Sequence, residues 1–279
     1  MLVDFRDKDE IQYEKSYVAF LDILGFSNMV LSKRKEDKEK LNSYFFAVNT
    51  AIDYLKGIPS KQEIQSIIIS DSVILTVPHG HNRQDNIKKL RNLCVAIGII
   101  QQHLAMNNVW LRGAISSGDT YFNAPKNQIV GPAYISSYML EQTSAVTPRV
   151  ILDSKIIKEL RFSSATELID KINCADEGGL HFSNWGKNIL FCWRYPDGTP
   201  VTYIPQDLPL FIDYLAPVVE ENNEHLLQLI KLLEINLYAD TALYKKYRWV
   251  SDYVRCIARR EEMDDNMISS EAGYRLDNL

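Results

Sequence analysis

The apolar positions change their period along the chain. Residues 17–21, Tyr-Val-Ala-Phe-Leu, are an unbroken apolar run with the β-branched and aromatic content of a buried strand, and Asp22 ends it. Ile23, Leu24 and Gly25 follow, and a helical pattern starts at residues 27–33. The charged run 33–40 is expected to break that helix. Leu41, Phe45, Val48, Ile52 and Leu55 then recur at steps of four and three, which predicts an amphipathic helix closed by Gly57 and Pro59. Residues 64–69 and 73–77 are β-rich runs on either side of Ser70-Asp71-Ser72, a hairpin with Asp71 at its tip. Residues 84–106 are helical again, residues 109–116 form a strand containing Arg112, and residues 123–127 form a loop. Gly131-Pro132 opens a further helix, with proline at a favourable first-turn position, and residues 150–152 are a short strand.

This order, strand-helix-strand-strand-helix-strand with additions, is that of a ferredoxin-like α+β unit. Its sheet is expected to be antiparallel with helices on one face, the other face being covered by something such as a second protomer. Beyond about residue 155 the texture changes. Residues 180–182 and 188–193 look like strands, and residues 208–260 read as two or three helices with apolar and aromatic faces. Residues 261–279 are acidic and polar, a loose tail. The expected division is a first domain over 1–155, a mixed and mainly helical accessory region over 156–265, and a flexible tail over 266–279.

Hydrophobic residues make up 46% of the 279, enough for a sizeable core. The net charge of -5 argues against a protein that grips nucleic acid through a basic face. It leaves nucleotides open, because a metal ion can supply positive charge. Cys94, Cys174, Cys192 and Cys256 form no CxxC pair and read as buried free thiols of a reducing compartment. His79 and His81 flank Gly80 and read as an exposed loop. No apolar run approaches the roughly 20 residues that cross a bilayer, and the charged start is no signal peptide, so a cytoplasmic protein without membrane contact is expected.

Two acidic turns carry the candidate chemistry. In the expected sheet the first strand and the hairpin are neighbours, so Asp22 and Asp71 can converge on one edge. Two carboxylates at close range repel, and a divalent cation between them relieves this. Such a pair suits phosphoryl transfer.

Residues 17–145 resemble a class III nucleotide cyclase homology domain, of the adenylate and guanylate cyclase type. The resemblance rests on Asp22-Ile23-Leu24-Gly25-Phe26 after an apolar strand and on Ser70-Asp71-Ser72 in a hairpin. It rests also on Arg112-Gly113-Ala114-Ile115-Ser116-Ser117-Gly118, and on Gly131 opening a helix that ends in Leu140-Glu141. It implies that Asp22 and Asp71 bridge two Mg²⁺ or Mn²⁺ ions, with the Ile23 carbonyl as a further ligand. It implies that the N–H groups of Leu24, Gly25 and Phe26 hold the β- and γ-phosphates of a nucleoside triphosphate. The product would be a 3′,5′-cyclic nucleotide, made by a homodimer with shared active sites.

The chain also departs from that pattern. Where purine-specific members carry a Lys or Glu before the second Asp, it has Ile67. Where they carry an acidic or small polar residue before the helix-opening glycine, it has Gln128. The positions of the usual Asn and Arg of the next helix are Ile135 and Met139. The pattern of a kept metal site and a changed base pocket is similar to the pyrimidine cyclases of bacterial Pycsar anti-phage systems, which implies UTP, ahead of CTP, as substrate and a separate effector activated by the product. Two alternatives stay open, a purine cyclase with a diverged pocket and a homologue that binds a nucleotide without turnover. Candidates for the missing transition-state cation are Arg112, Lys126, Arg149 and Lys187.

Overall fold

A computed structural model describes residues 11–57, 64–174, 188–195, 198–204, 209–221, 223–260 and 268–279. The chain starts with β1 (Glu14–Ile23), α1 (Phe26–Leu31) and α2 (Lys35–Gly57). The hairpin β2 (Gln65–Ile69) and β3 (Ser72–Pro78), α3 (Arg83–Met106) and β4 (Leu111–Asn123) follow. The sheet runs β2-β3-β1-β4 with every one of these pairs antiparallel, which is the ferredoxin-like arrangement. In β1, Tyr17, Ala19, Leu21 and Ile23 point into the main core with residues of α2 and α3, as a period of two requires. Val18 and Phe20 point to the opposite face and join Ile67, Ile74 and Ala133 in a second, smaller cluster.

That opposite face is not left for a partner to cover alone. After β4 the chain forms β5 (Gln128–Val130), a hairpin partner of β4, and then α4 (Pro132–Thr143), whose Ala133 packs into the second cluster. Phe20 meets Tyr138 edge-on at 5.3 Å. Gly131 is required where α4 leaves β5, because its φ is +149° and a Cβ there would lie 2.4 Å from the Asp119 carbonyl. Three residues of strand are too few for a periodic signal, so β5 was invisible in the sequence.

The first helix ends at Leu31 and residues 32–34 are not helical, so the expected break is there, but most of the charged run 33–40 starts the next helix. α2 begins at Lys35, Glu36 and Asp37 lie in its first turn where the helix dipole favours them, and Lys35 faces Glu39 one turn on.

Past β6 (Val150–Leu152), which is parallel to β4, come α5 (Lys155–Glu159) and α6 (Ala165–Asn173). Neither short helix was foreseen. Residues 188–193 make an isolated bridge, Leu190 with Ile212, rather than a full strand, and the expected strand 180–182 lies outside the described residues. The stretch expected to be purely helical begins instead with β7 (Leu210–Phe211), which pairs with β6 and continues the main sheet. Then come α7 (Ala216–Glu221), α8 (Asn223–Leu237) and α9 (Tyr244–Ala258). Phe211 is the hub here, stacked on Phe191 at 4.8 Å and meeting Trp249 and Tyr253 edge-on. Tyr253 donates its hydroxyl to the buried Asp213, which also holds Arg260.

The expected loose tail contains α10 (Ser270–Asn278). Ser269 caps it by accepting from the Ala272 N–H, Ala272 and Leu276 are buried, and Arg255 donates to the Leu276 carbonyl at 2.8 Å. Its polarity misled because only one side of this short helix packs. Of the four thiols expected to be buried, Cys94 and Cys256 are, Cys192 is half-buried, and Cys174 is exposed just past the end of α6.

Candidate active site

Asp22 is the last residue of β1 to pair with β3, opposite Ser72, and in the same row it faces Arg112 on β4, one pair before that ladder ends at Ile23 and Leu111. The hairpin turn is two residues, Ser70 and Asp71, rather than the three expected, because Ser72 already pairs with Ile69. Two-residue turns of this kind need positive φ, and Ser70 supplies it at 57° where glycine would do so freely. Asp71 therefore hangs just past the strand end, beside Asp22, and its charge acts on Asp22. Tyr44 ties the turn down: it is fully buried, its hydroxyl donates to the Ser70 carbonyl at 3.3 Å, and both carboxylates act on it.

Strand geometry places a third oxygen there. Leu24 donates its N–H to the Trp110 carbonyl at 2.9 Å, so Leu24 faces β4. Backbone groups alternate sides along a strand, which turns the Ile23 carbonyl toward the β3 side, beyond the last β1–β3 pair, where Asp71 lies. Asp22, Asp71 and this carbonyl are hard oxygen donors of the kind that Mg²⁺ or Mn²⁺ takes. Among the described residues no three His, Cys, Asp or Glu side chains gather as one metal-binding group. The donor set that fits is thus two carboxylates and a backbone oxygen.

The same hydrogen bond corrects one expectation. The Leu24 N–H is used by the β4 ladder and does not face a phosphate. Gly25 has φ +76° and ψ 18°, and a Cβ there would meet nothing within 4 Å, so it is the conformation that requires glycine, beside open space. Phe26 is buried against Tyr44, ring centroids 6.0 Å apart.

Arg112 holds Asp22. Its Nε and Nη2 both donate to Asp22 Oδ2, at 3.2 and 3.1 Å. Its Nε also lies 2.7 Å from Oε1 of Glu141 on α4, a charge contact off the N–H direction, and the Glu141 side chain is 0% exposed. Burial pushes the Asp22 carboxyl up from its ordinary range, Arg112 pulls it down, Asp71 raises it and Lys246 on α9 lowers it. Burial likewise raises Glu141, against the pull of Arg112. Arg112 is thereby committed to Asp22 and Glu141.

The other cation candidates fall elsewhere. Arg149 is buried, with its guanidinium 5.2 Å from the Trp249 ring and 5.7 Å from that of Phe211. Lys187 lies outside the described residues. Lys126 is exposed on a short 3-10 turn and lines a cavity of about 810 Å³. Ile67 and Gln128, the two positions expected to face a base, line that cavity too, with Ile69, Ile74 and Tyr134. Ile69 shares a row with Ser72 and Asp22, so the cavity and the acidic edge open on one face of the sheet. Sequence reasoning missed Lys246, Tyr44 and Trp110, which no local motif marks.

The other end of β1 carries a second polar group. His79, expected in an exposed loop, is half-buried, its ring 4.4 Å from Tyr17 and its Nε2 3.1 Å from the Ser117 hydroxyl. Ser117 is fully buried and donates to Glu159.

No model of a known protein family matches the chain, and no characterised protein matches it by sequence. Among solved structures, the adenylyl cyclase CyaB from P. aeruginosa aligns with 53% of this chain and 82% of its own, at 16% identity and a TM-score of 0.40. The catalytic core of a rhodopsin-guanylyl cyclase with converted specificity, in complex with ATPalphaS, aligns over the same shares at 15% identity and 0.40. A class III adenylyl cyclase-like ATP-binding protein from Pseudomonas aeruginosa covers 51% of this chain and 34% of its own, at 13% identity and 0.34. Overlaps this slight bear no functional weight, which rests on the residues above.

Proposed function

We propose that this chain is a metal-dependent nucleotide cyclase that converts a pyrimidine nucleoside triphosphate, UTP or CTP, to its 3′,5′-cyclic nucleotide and diphosphate. The observation that carries the reading is the convergence of Asp22, Asp71 and the Ile23 carbonyl on one sheet edge beside an open glycine turn. In this reading the ribose 3′-oxygen bonds to the α-phosphorus, the bond from that phosphorus to the β-bridging oxygen breaks, diphosphate leaves, and the hydroxyl proton passes to water. Two divalent cations held by Asp22, Asp71 and Ile23 would supply the Lewis acidity that makes the 3′-hydroxyl acidic and neutralises the leaving diphosphate. The chain's own part is to orient: Arg112 and Tyr44 fix the two carboxylates, and the Gly25 and Phe26 N–H groups remain for the phosphates.

The base would lie in the cavity. Ile67 is an apolar wall that offers a base no hydrogen bond, while the Gln128 amide both donates and accepts. A purine-reading side chain is absent from the position where the resembling family carries one. Exposed Ile135, Tyr138 and Met139 on α4 support a homodimer with shared active sites, since they form an apolar surface beside the sheet face that carries the site. A product that activates an effector in anti-phage defence belongs to the same proposal and rests on the resemblance.

One observation favours a second reading. Arg112 already offsets the Asp22 charge, so the carboxylate is tolerable without a cation, as in a module that binds a nucleotide without turnover. Purified protein incubated with each of the four nucleoside triphosphates and Mn²⁺ decides, with product identified by mass. A cyclic pyrimidine nucleotide, lost in Asp22→Ala, is the expected result. Cyclisation of ATP or GTP alone overturns the pyrimidine assignment, and no product from any triphosphate overturns the enzyme.

A further inference from the structure

α9, from the C-terminal region, is pinned in its middle and at its start. In the middle Trp249 and Tyr253 pack on Phe211, and Tyr253 is hydrogen-bonded to Asp213. In its first turn the Tyr247 ring meets Trp110 edge-on at 5.8 Å. Trp110 is the residue whose carbonyl holds Leu24, at the start of the Gly25 turn. The helix thus delivers its first turn to the acidic edge. Lys246, next to Tyr247, is half-buried there, whereas its neighbour Lys245 is exposed. Lys246 lies close enough to Asp22 and Arg112 for charge interaction with both.

This placement has an electrostatic consequence. Asp22 and Glu141 take Arg112 as their ion-pair partner, and among the described residues no carboxylate lies within 4 Å of the Lys246 ammonium. A second cation beside a guanidinium is self-repelling. Were Asp22 and Asp71 to bind divalent cations as well, the repulsion would grow unless an anion of high charge joined them. A polyphosphate is such an anion, and a lysine is a suitable point-charge partner for it. From the placement of Lys246 next to the Trp110–Tyr247 contact and within charge range of the Asp22–Arg112 pair, we infer that Lys246 binds the polyphosphate tail of the substrate and so makes the C-terminal region part of the active site. This rests on the proposed function for the identity of the substrate. It assigns to α9 the positive charge that Ile135 and Met139 do not supply.

The test is binding of inorganic tripolyphosphate in the presence of Mn²⁺ to the full chain, by calorimetry, beside the four-triphosphate activity assay. Lys246→Met is expected to weaken tripolyphosphate binding about tenfold or more, the loss of one charge-assisted contact, while Lys246→Arg stays within about threefold of the parent. Lys246→Gln serves where the methionine variant melts early. A lysine that merely balances Asp22 would leave the tripolyphosphate affinity of a folded variant unchanged, and that result, or no tripolyphosphate binding by the parent, overturns the inference. The two proposals fail separately. A parent that makes cyclic product while Lys246→Met keeps full tripolyphosphate affinity sinks the lysine and spares the cyclase. Lysine-dependent tripolyphosphate binding without cyclic product does the reverse.

Discussion

β1 carries a polar cluster at each end, and the two look alike on a list of side chains. One end has Asp22, Asp71, Arg112 and Glu141; the other has Tyr17, His79, Ser117 and Glu159. A serine, a histidine and a glutamate together resemble a hydrolytic triad. The arrangement says otherwise. Ser117 is fully buried, and its single proton goes to Glu159, so His79 Nε2 must donate to the same hydroxyl instead of accepting from it. Imidazole and carboxylate both spend themselves on one oxygen, with no relay between them. At the other end Asp22 keeps Oδ1 clear of Arg112, Asp71 hangs from an open turn, and a glycine faces empty space. Direction of hydrogen bonds and access, not residue type, separate a structural cluster from a candidate site.

The sharpest way to break this comparison is to cut both ends. Asp22→Ala is expected to lower cyclic-nucleotide formation by about 100- to 1,000-fold or more, with the fold kept, because Arg112 retains Glu141 as a partner. Ser117→Ala is expected to leave turnover per folded molecule unchanged and to cost roughly 1–3 kcal/mol of stability, as the His79 donor loses its acceptor. Turnover assays on both variants, normalised by circular dichroism, check this. Activity lost with Ser117 and kept without Asp22 would invert the assignment.

The two ends were unequally legible in the sequence. Asp22 and Asp71 stood out because each ends an apolar run at a turn, a short local pattern, and the strand order alone put them on one edge. Arg112 was named for its motif, but its double grip on Asp22 and Glu141 is a tertiary fact. Lys246 and Tyr44 carry no local signal, since a lysine in a basic-aromatic helix and a tyrosine in an amphipathic one read as ordinary packing. β5 and β7 were too short for any period to show, and α10 hid behind its polarity. The Ser117 cluster went unread because its members are far apart in the chain and meet only through the β1 ladders.

Next in size is the effect of Arg112→Leu, which leaves the buried Glu141 carboxylate without its cation. About 3–5 kcal/mol of stability is expected to go, a fall in Tm of roughly 6–20 °C. Adding Glu141→Leu removes the stranded charge and is expected to restore more than half of that loss in thermal melts. Strictly additive losses in the double variant would mean that the contact is not coupled.

A smaller effect separates the ends by pH. Burial holds His79 below its ordinary range, with Lys15 and Lys89 helping and Glu159 opposing. An imidazole that resists protonation when folded stabilises the protein fully above the unfolded value of about 6.5 and loses that contribution as pH falls below it. Tm is therefore expected to drop between pH 7.5 and 5.5, and to drop less in His79→Gln, which keeps an N–H donor for Ser117. His103, also lowered by burial, contributes equally to both proteins. An identical pH dependence in the two would show that His79 is not the group responsible.

The smallest effect returns to the acidic turn. Ser70 takes φ 57°, in the left-handed region that costs a non-glycine residue about 1–2 kcal/mol. Ser70→Gly removes that strain and adds roughly 0.5–1 kcal/mol of unfolded-state entropy against it. Strain relief is the larger figure, so the variant is expected to gain about 0.5–1 kcal/mol and a few degrees in Tm. Turnover should hold, since the Ser70 carbonyl, not its side chain, receives the Tyr44 hydroxyl and so fixes Asp71. A more stable variant with much lower turnover would mean instead that the serine side chain takes part in the chemistry of this edge.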